Sequence, residues 1–125
     1  MMANIINLTP HVIRVYGVTA PDRFQFDPAT WPYIAKYEPS GKVARLVEVE
    51  IGGWTPPGLP HPIERIQYGH VDGLPPADRD SSNWYIVSLA TALALPDRPD
   101  LLVPYREVRD LDGTVIGCRA LARPC

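Results

Sequence analysis

The sequence predicts an α+β domain made mainly of antiparallel sheet, whose strands can curl into a small, partly closed barrel. Seven or eight short segments rich in β-branched and aromatic residues alternate with turn signals along the chain. Only one or two segments, both short, carry helix signals. The 125 residues, 46% of them hydrophobic, suffice for one domain spanning 1–125 with its own core.

The N-terminal part contains two strand candidates and one helix signal. Residues 5–8 and 12–16 are separated by Thr9-Pro10-His11, which cannot be a standard two-residue hairpin turn because Pro10 donates no backbone hydrogen bond. Residues 27–30 place a capping Asp before a proline, a pattern that begins a single helical turn.

The middle of the chain holds the clearest alternating pattern. Residues 33–37 and 43–51 are strand candidates on either side of a turn at Pro39-Ser40-Gly41-Lys42. The second is the longest period-2 run, and its two sets of side chains lie on opposite sides: Val43, Arg45, Val47, Val49 and Ile51, and Ala44, Leu46, Glu48 and Glu50.

Two loop signals flank the next strand candidate, residues 63–68. Residues 52–62 contain three glycines and four prolines, which predicts a long loop or an insertion. Residues 71–82 form a second predicted loop, since Asp72-Gly73 and Pro75-Pro76 both oppose regular structure.

The chain then returns to regular structure. Residues 84–87 suit a half-buried strand, Ser88 suits the N-cap of a helix over 89–95, and Pro96 ends that helix. Residues 101–103 are a buried strand candidate.

A final hairpin is predicted around Asp112-Gly113, the strongest turn signal in the chain. It joins residues 106–109 to 114–121 and places Val108 opposite a residue near Val115 or Ile116.

Composition limits the classes of function. The 12 basic and 14 acidic residues give a net charge of −2, whereas nucleic-acid binders usually carry a basic excess, so nucleic acid is not an expected partner. The 15 prolines alternate with apolar runs, which favours stiffened, ordered loops over disorder. With no signal peptide pattern and no apolar run near the roughly 20 residues of a membrane span, we expect a cytoplasmic protein.

The two cysteines do not form a disulfide framework, and a reducing compartment is expected. Cys118 should be buried in a strand, Cys125 should be free beyond Pro124, and the two should not be bonded to each other.

No catalytic motif is complete. Ser88 follows a strand and precedes a helix, as hydrolase nucleophiles do, but a nucleophile elbow needs glycines where Ile86 and Ala90 stand. We therefore interpret Ser88 as a helix cap. We assign no catalytic residue, no metal and no cofactor to this chain.

Three polar residues are candidates for ligand binding. Arg98, directly after the helix, pairs with Asp100 as a structural clamp or, alternatively, clamps a small anionic ligand. His11 and His70 lie beside strands, where they close backbone hydrogen bonds or serve as a general base, and neither has the spacing of a metal site.

Trp54 is the candidate for contact with a partner protein. It lies between glycines and prolines in the 52–62 loop, outside any alternating segment, which favours an exposed aromatic contact. The alternative is that Trp54 folds back and covers one end of the sheet.

Several motifs together resemble a family of small uncharacterised bacterial and phage-borne proteins. They are Asn7-Leu-Thr-Pro-His11, Pro39-Ser-Gly41 with Val43-Ala-Arg45, Tyr68-Gly69, Gly73-Leu-Pro75, Tyr85-Ile-Val-Ser88, Arg98-Pro-Asp-Leu-Leu-Val-Pro104, and Val108-Arg-Asp110 through Gly117-Cys-Arg119. The resemblance covers most of the chain outside residues 17–33 and 52–62, and it implies no particular activity.

The first functional interpretation is a binding or accessory module that contacts another protein, in a mobile element or a host-defence pathway. One alternative is a small hydrolase or transferase acting on an anionic small molecule, with His11 or His70 as base and Arg98 as clamp. A second is single-stranded nucleic-acid binding, which requires Arg14, Arg45 and Arg65 to share a face beside exposed aromatics.

Overall fold

The computed structural model describes residues 4–25, 32–77 and 82–124. Within them the chain forms eight strands and one helix: β1 (Asn4–Asn7), β2 (Ile13–Val15), β3 (Ala35–Tyr37), β4 (Arg45–Trp54), β5 (Ile63–Asp72), β6 (Asn83–Ile86), α1 (Leu89–Ala94), β7 (Leu101–Arg109) and β8 (Val115–Ala122). The helical turn predicted at 27–30 and the predicted free Cys125 lie outside the described residues.

Six strands form one curled sheet in the order β1-β6-β7-β8-β2-β3, which is nearly closed into a barrel. The two edge strands meet just beyond their ends, where Asn7 bridges Pro39 and the Asn7 carbonyl accepts a hydrogen bond from the Ser40 N–H at 3.0 Å. The predicted strand-rich fold with a barrel-like sheet and a short helix is confirmed at this level.

The prediction that the sheet is mainly antiparallel is wrong. β1 and β7 both run parallel to β6, and β2 runs parallel to β8, whereas β7–β8 and β2–β3 are antiparallel. Residues 87–100, which contain α1, return the chain to the starting end of the sheet and so allow β6 and β7 to be parallel. The other two parallel pairs, β1 with β6 and β2 with β8, join strands that are far apart in the sequence. An alternating pattern within a strand does not show which strand is its neighbour.

The buried side chains of the body form two apolar clusters, both supplied mainly by the six-stranded sheet and its connections. The larger cluster lies beside α1 and contains Leu8, Ala44, Tyr85, Val87, Ala92, Leu101 and Val103. The smaller one lies around β2, β7 and the segment after β2, and contains Tyr16, Ala20, Phe24 and Val108.

Ser88 is the N-cap of α1, as predicted. Its Oγ accepts a hydrogen bond from the Thr91 N–H at 3.2 Å and donates one to the Thr91 hydroxyl at 2.9 Å. Leu95 caps the other end and Pro96 follows, so the helix stops where the sequence indicates.

The C-terminal hairpin is also present, and the partner of Val108 is next to Ile116, as predicted. Val108 lies opposite Gly117, and Val115 lies opposite Arg109. The Asp110 N–H donates to the Thr114 carbonyl at 2.9 Å, so three residues lie in the loop between them, with Gly113 at φ +85°. A bulge between Val108 and Arg109 then brings the rest of the hairpin into the register that a two-residue turn at Asp112-Gly113 gives. β7 is one continuous strand where two separate segments were predicted.

β4 and β5 form a separate two-stranded antiparallel sheet, which we call the arm (residues 45–72). Residues 52–54, predicted to be loop, belong to β4, because Gly52 at φ +111° accommodates a bulge that lets the strand continue. Likewise β5 continues through residues 69–72, where a loop was predicted to begin at 71. The connecting loop therefore spans 55–62, which we call the tip loop.

Candidate functional site

The outer part of the arm is exposed on both of its strands, although many of its side chains are apolar. β4 is exposed from Glu48 to Trp54, and β5 from Ile63 to His70. Only the base of the arm joins the body, where Val71 packs against the larger core cluster. Seven large apolar or aromatic side chains of the arm are between 37% and 56% exposed: Val49, Ile51, Trp54, Leu59, Ile63, Ile66 and Tyr68.

The strand register divides the outer arm into two faces. Directly opposed residues share a face, and β5 alternates regularly between residues 63 and 68. We call the first the Trp54 face; it holds Val49, Gly52, Trp54, Ile63, Arg65 and Gln67. The second, the acidic face, holds Glu48, Glu50, Gly53, Glu64, Ile66 and Tyr68.

Trp54 ends β4 and pairs with Ile63 at the start of β5, so it lies at the far end of the arm from the body. Its side chain is 51% exposed and, with Ile51, Gly52, Gly53 and Arg65, borders a shallow depression. The structure thus places Trp54 on the surface, although on a strand and not in the loop where the sequence suggested it.

The base of the arm depends on a close approach between its two ends. Gly73 follows β5 with φ +81°, and a Cβ at this position would overlap the carbonyl oxygen of Val43. Val43 precedes Ala44, whose N–H donates to the Leu8 carbonyl at 3.0 Å in the body. Glycine at 73 therefore lets both ends of the arm enter the body side by side.

An open groove separates the base of the arm from α1. Its polar lining consists of Arg45, Glu48, Tyr68, Ser88 and Thr91. The described hydrogen bonds of the Ser88 hydroxyl both go to Thr91, and no described histidine contacts it. Ser88 is thus engaged as the cap of α1.

Arg98 has the geometry of a structural clamp. Its Nε and Nη2 donate to the two carboxylate oxygens of Asp100 at 2.9 and 2.8 Å, and Nη2 also donates to the Pro75 carbonyl at 2.9 Å. These bonds raise the pKa of Arg98 and lower that of Asp100. Both side chains are largely buried, and the guanidinium joins the exit of α1 to the segment after β5.

The two candidate histidines have separate environments. His70 lies on β5, where its Nε2 is 2.7 Å from Asp72 Oδ1 with both side chains exposed. His11 is exposed in the β1–β2 connection, where its carbonyl accepts a hydrogen bond from the Asn7 side chain at 2.7 Å. Among the described residues, no three His, Cys, Asp or Glu side chains are grouped to hold a metal ion.

The arginines proposed for single-stranded nucleic acid are divided between two sheets. Arg45 and Arg65 lie on the arm, with Arg45 opposite Asp72 at its base. Arg14 lies on β2 in the body, where its guanidinium is 5.9 Å from the centre of the Tyr33 ring. These three arginines therefore do not form a continuous basic stripe beside the aromatic residues of the arm.

Sequence reasoning located Trp54 but missed the surface around it. The relevant signal was the equal length of two apolar-acidic segments, residues 45–54 and 63–72, on either side of a short Gly-Pro segment. Such a pattern predicts a long hairpin. That both faces of this hairpin are exposed depends on the tertiary structure and cannot be predicted from the pattern.

α1, with six residues, is the only helix described, and it is too short to cross a bilayer. Comparisons with protein families, curated proteins and solved structures found no match to this chain. The family resemblance inferred from the motifs therefore stays a prediction.

Proposed function

We propose that this protein is a non-enzymatic binding module that recognises a partner protein through the Trp54 face of its arm. The observation that carries the proposal is the exposure of Val49, Trp54 and Ile63 together on one face of a two-stranded sheet that extends beyond both core clusters. Exposed apolar side chains grouped on one face are typical of interaction sites.

The chemistry of the Trp54 face supports a protein partner. Val49, Trp54 and Ile63 form its apolar centre, while Arg65 and Gln67 supply polar groups beside it. Binding hot spots are enriched in Trp and Arg within such a centre and rim arrangement. We expect the partner to offer an apolar pocket that receives the indole ring.

The tip loop supports a preformed surface. Four of its eight positions, 55–62, are proline, and the Leu59 N–H donates to the Pro56 carbonyl at 3.2 Å. Proline restricts the unbound chain, so less conformational entropy is lost when the loop is held against a partner.

The test compares Trp54→Ala with Leu93→Ala, a truncation of another exposed apolar residue, on α1. Immobilised protein should capture a specific partner from an extract of its native cell, and Trp54→Ala should abolish capture. Because Trp54 is half exposed, its removal should change the free energy of unfolding by less than about 1 kcal/mol.

Leu93→Ala should retain capture with a similarly small change in stability. A loss of several kcal/mol in Trp54→Ala, on the scale of truncating a buried Trp, would mean that the ring only covers the arm. Equal capture by wild type and Trp54→Ala would contradict the proposal directly.

A further inference from the structure

We infer that two copies of this chain associate through the outer edge of β5, antiparallel and with a two-fold axis at Ile66, so that their arms form one four-stranded sheet. This inference goes beyond the proposed function, since it uses the edge of β5 and leaves the apolar centre of the Trp54 face, Val49, Trp54 and Ile63, free for a partner.

The first observation is an open strand edge. Among the described residues, the backbone of β5 pairs only with β4, which leaves the other side of a ten-residue strand without a neighbour. A two-stranded hairpin is at best marginally stable in water, and three or more strands are needed for independent stability. Pairing with a second arm provides them.

The second observation is that the exposed part of β4, from Glu48 onward, is a less suitable edge. In a two-fold antiparallel pair, opposed residues share a face, so the axis must pass through one residue. An axis at Val49 places Glu48 opposite Glu50, and an axis at either glutamate places it opposite itself. In addition, the bulge at Ile51 and Gly52 distorts this strand.

The edge of β5 has no such repulsion when the axis passes through Ile66. Ile66 then lies opposite its own copy, Arg65 lies opposite Gln67, and Glu64 lies opposite Tyr68. The Tyr68 hydroxyl can donate to the Glu64 carboxylate on both sides of the axis. All these residues belong to the regular part of β5, before the bulge at residues 69 and 70.

Neighbouring registers are less favourable. An axis at Arg65 opposes two guanidinium groups, and like charges directly opposite destabilise a sheet. An axis at Gln67 extends the pairing through the bulge at residues 69 and 70. The Ile66 register is therefore the one that combines apolar contact at the centre with polar pairs on both sides.

The first test is the molar mass by light scattering over a concentration series. Wild type should approach twice 13.9 kDa as its concentration rises. Ile66→Lys places two like charges at the axis and should give a monomer at every concentration, whereas Val49→Lys, a change of similar exposure on β4, should remain dimeric. A monomeric wild type, or equal masses for both variants, would overturn the inference.

The second test fixes the register by disulfide formation in a Cys125→Ser background. Ile66→Cys should form a covalent dimer under mild oxidation. Arg65→Cys and Gln67→Cys should cross-link when mixed and only weakly when each is alone. A dimer that persists without the Ile66→Cys cross-link would show another interface and overturn the inference.

Failure of this inference can be distinguished from failure of the proposed function. If Ile66→Lys is monomeric and still captures the partner through Trp54, both proposals stand. Capture by a wild type that stays monomeric would leave only the proposed function.

Discussion

Arg98 and Asp100 form a two-pronged ion pair although only Pro99 separates them, with Nε to Oδ1 at 2.9 Å and Nη2 to Oδ2 at 2.8 Å. The same guanidinium holds the Pro75 carbonyl, so one side chain joins the helix exit to the segment that follows the arm.

The Arg98–Asp100 pair should make stability depend on pH in the acid range. The hydrogen bond from Arg98 lowers the pKa of Asp100 in the folded state, so the pair stabilises the fold above about pH 4, the pKa of an unfolded Asp. This contribution is lost as pH falls through the lowered folded pKa.

Asp100→Ala should cost about 1.5–3 kcal/mol at neutral pH, the range for hydrogen bonds to charged groups. Glu107→Ala is the matched control, because Glu107 pairs with Arg109 two residues away but in solvent. It should cost less than about 1 kcal/mol. Urea unfolding at neutral and acid pH measures both, and a cost of Asp100→Ala that does not shrink in acid would contradict the assignment.

Asn7 should be essential to the junction of the two sheet edges. Its side chain is buried, donates to the carbonyls of His11 and Tyr37 at 2.7 and 3.0 Å, and accepts from the Thr9 N–H at 2.9 Å. Asn7→Ala removes these hydrogen bonds from the junction, and the expected cost is about 1–3 kcal/mol.

Asn7→Asp should be worse at neutral pH, because a carboxylate then faces two carbonyl oxygens. Its folded pKa is expected to be raised, so the stability of this variant should improve as pH falls from 7, when the protonated acid regains a donor. Thermal unfolding across pH tests the sign; a loss of stability in acid larger than that of wild type would contradict it.

Gly73 should tolerate alanine far less than Gly41, although both have positive φ. A Cβ at Gly41 meets no atom within 4 Å, so Gly41→Ala carries only the backbone cost of about 1–2 kcal/mol. Gly73→Ala adds the overlap with Val43 and should cost clearly more. Equal free energies of unfolding for the two variants would show that the arm's base can shift freely.

Cys118 should react with thiol reagents only when the protein unfolds. It is a free thiol, buried as predicted, and burial raises its pKa, so little thiolate is present or accessible at neutral pH. In Cys125→Ser, the rate of Ellman's reaction should rise with urea in parallel with unfolding. Rapid reaction of the native variant would contradict the buried position.

Local chemistry alone determined several elements of this protein. Ser88 and Pro96 bound α1 because a hydroxyl cap and a missing N–H act within a few residues, and Asp112-Gly113 marks the final turn for the same reason. The Arg98–Asp100 clamp was also predictable, since its partners lie two residues apart.

Only the tertiary structure decided the pairing of strands and the exposure of the arm. Alternation in residues 45–54 is the same whether a strand covers a core or extends into solvent, because the pattern records two faces and not what contacts them. Parallel pairing of β1 with β6 and of β2 with β8 joins distant segments, and its energy depends on backbone groups that every residue carries. The exposed surface around Trp54 therefore follows from the tertiary structure, in which the other six strands form the sheet of the body and β4 and β5 form a separate sheet.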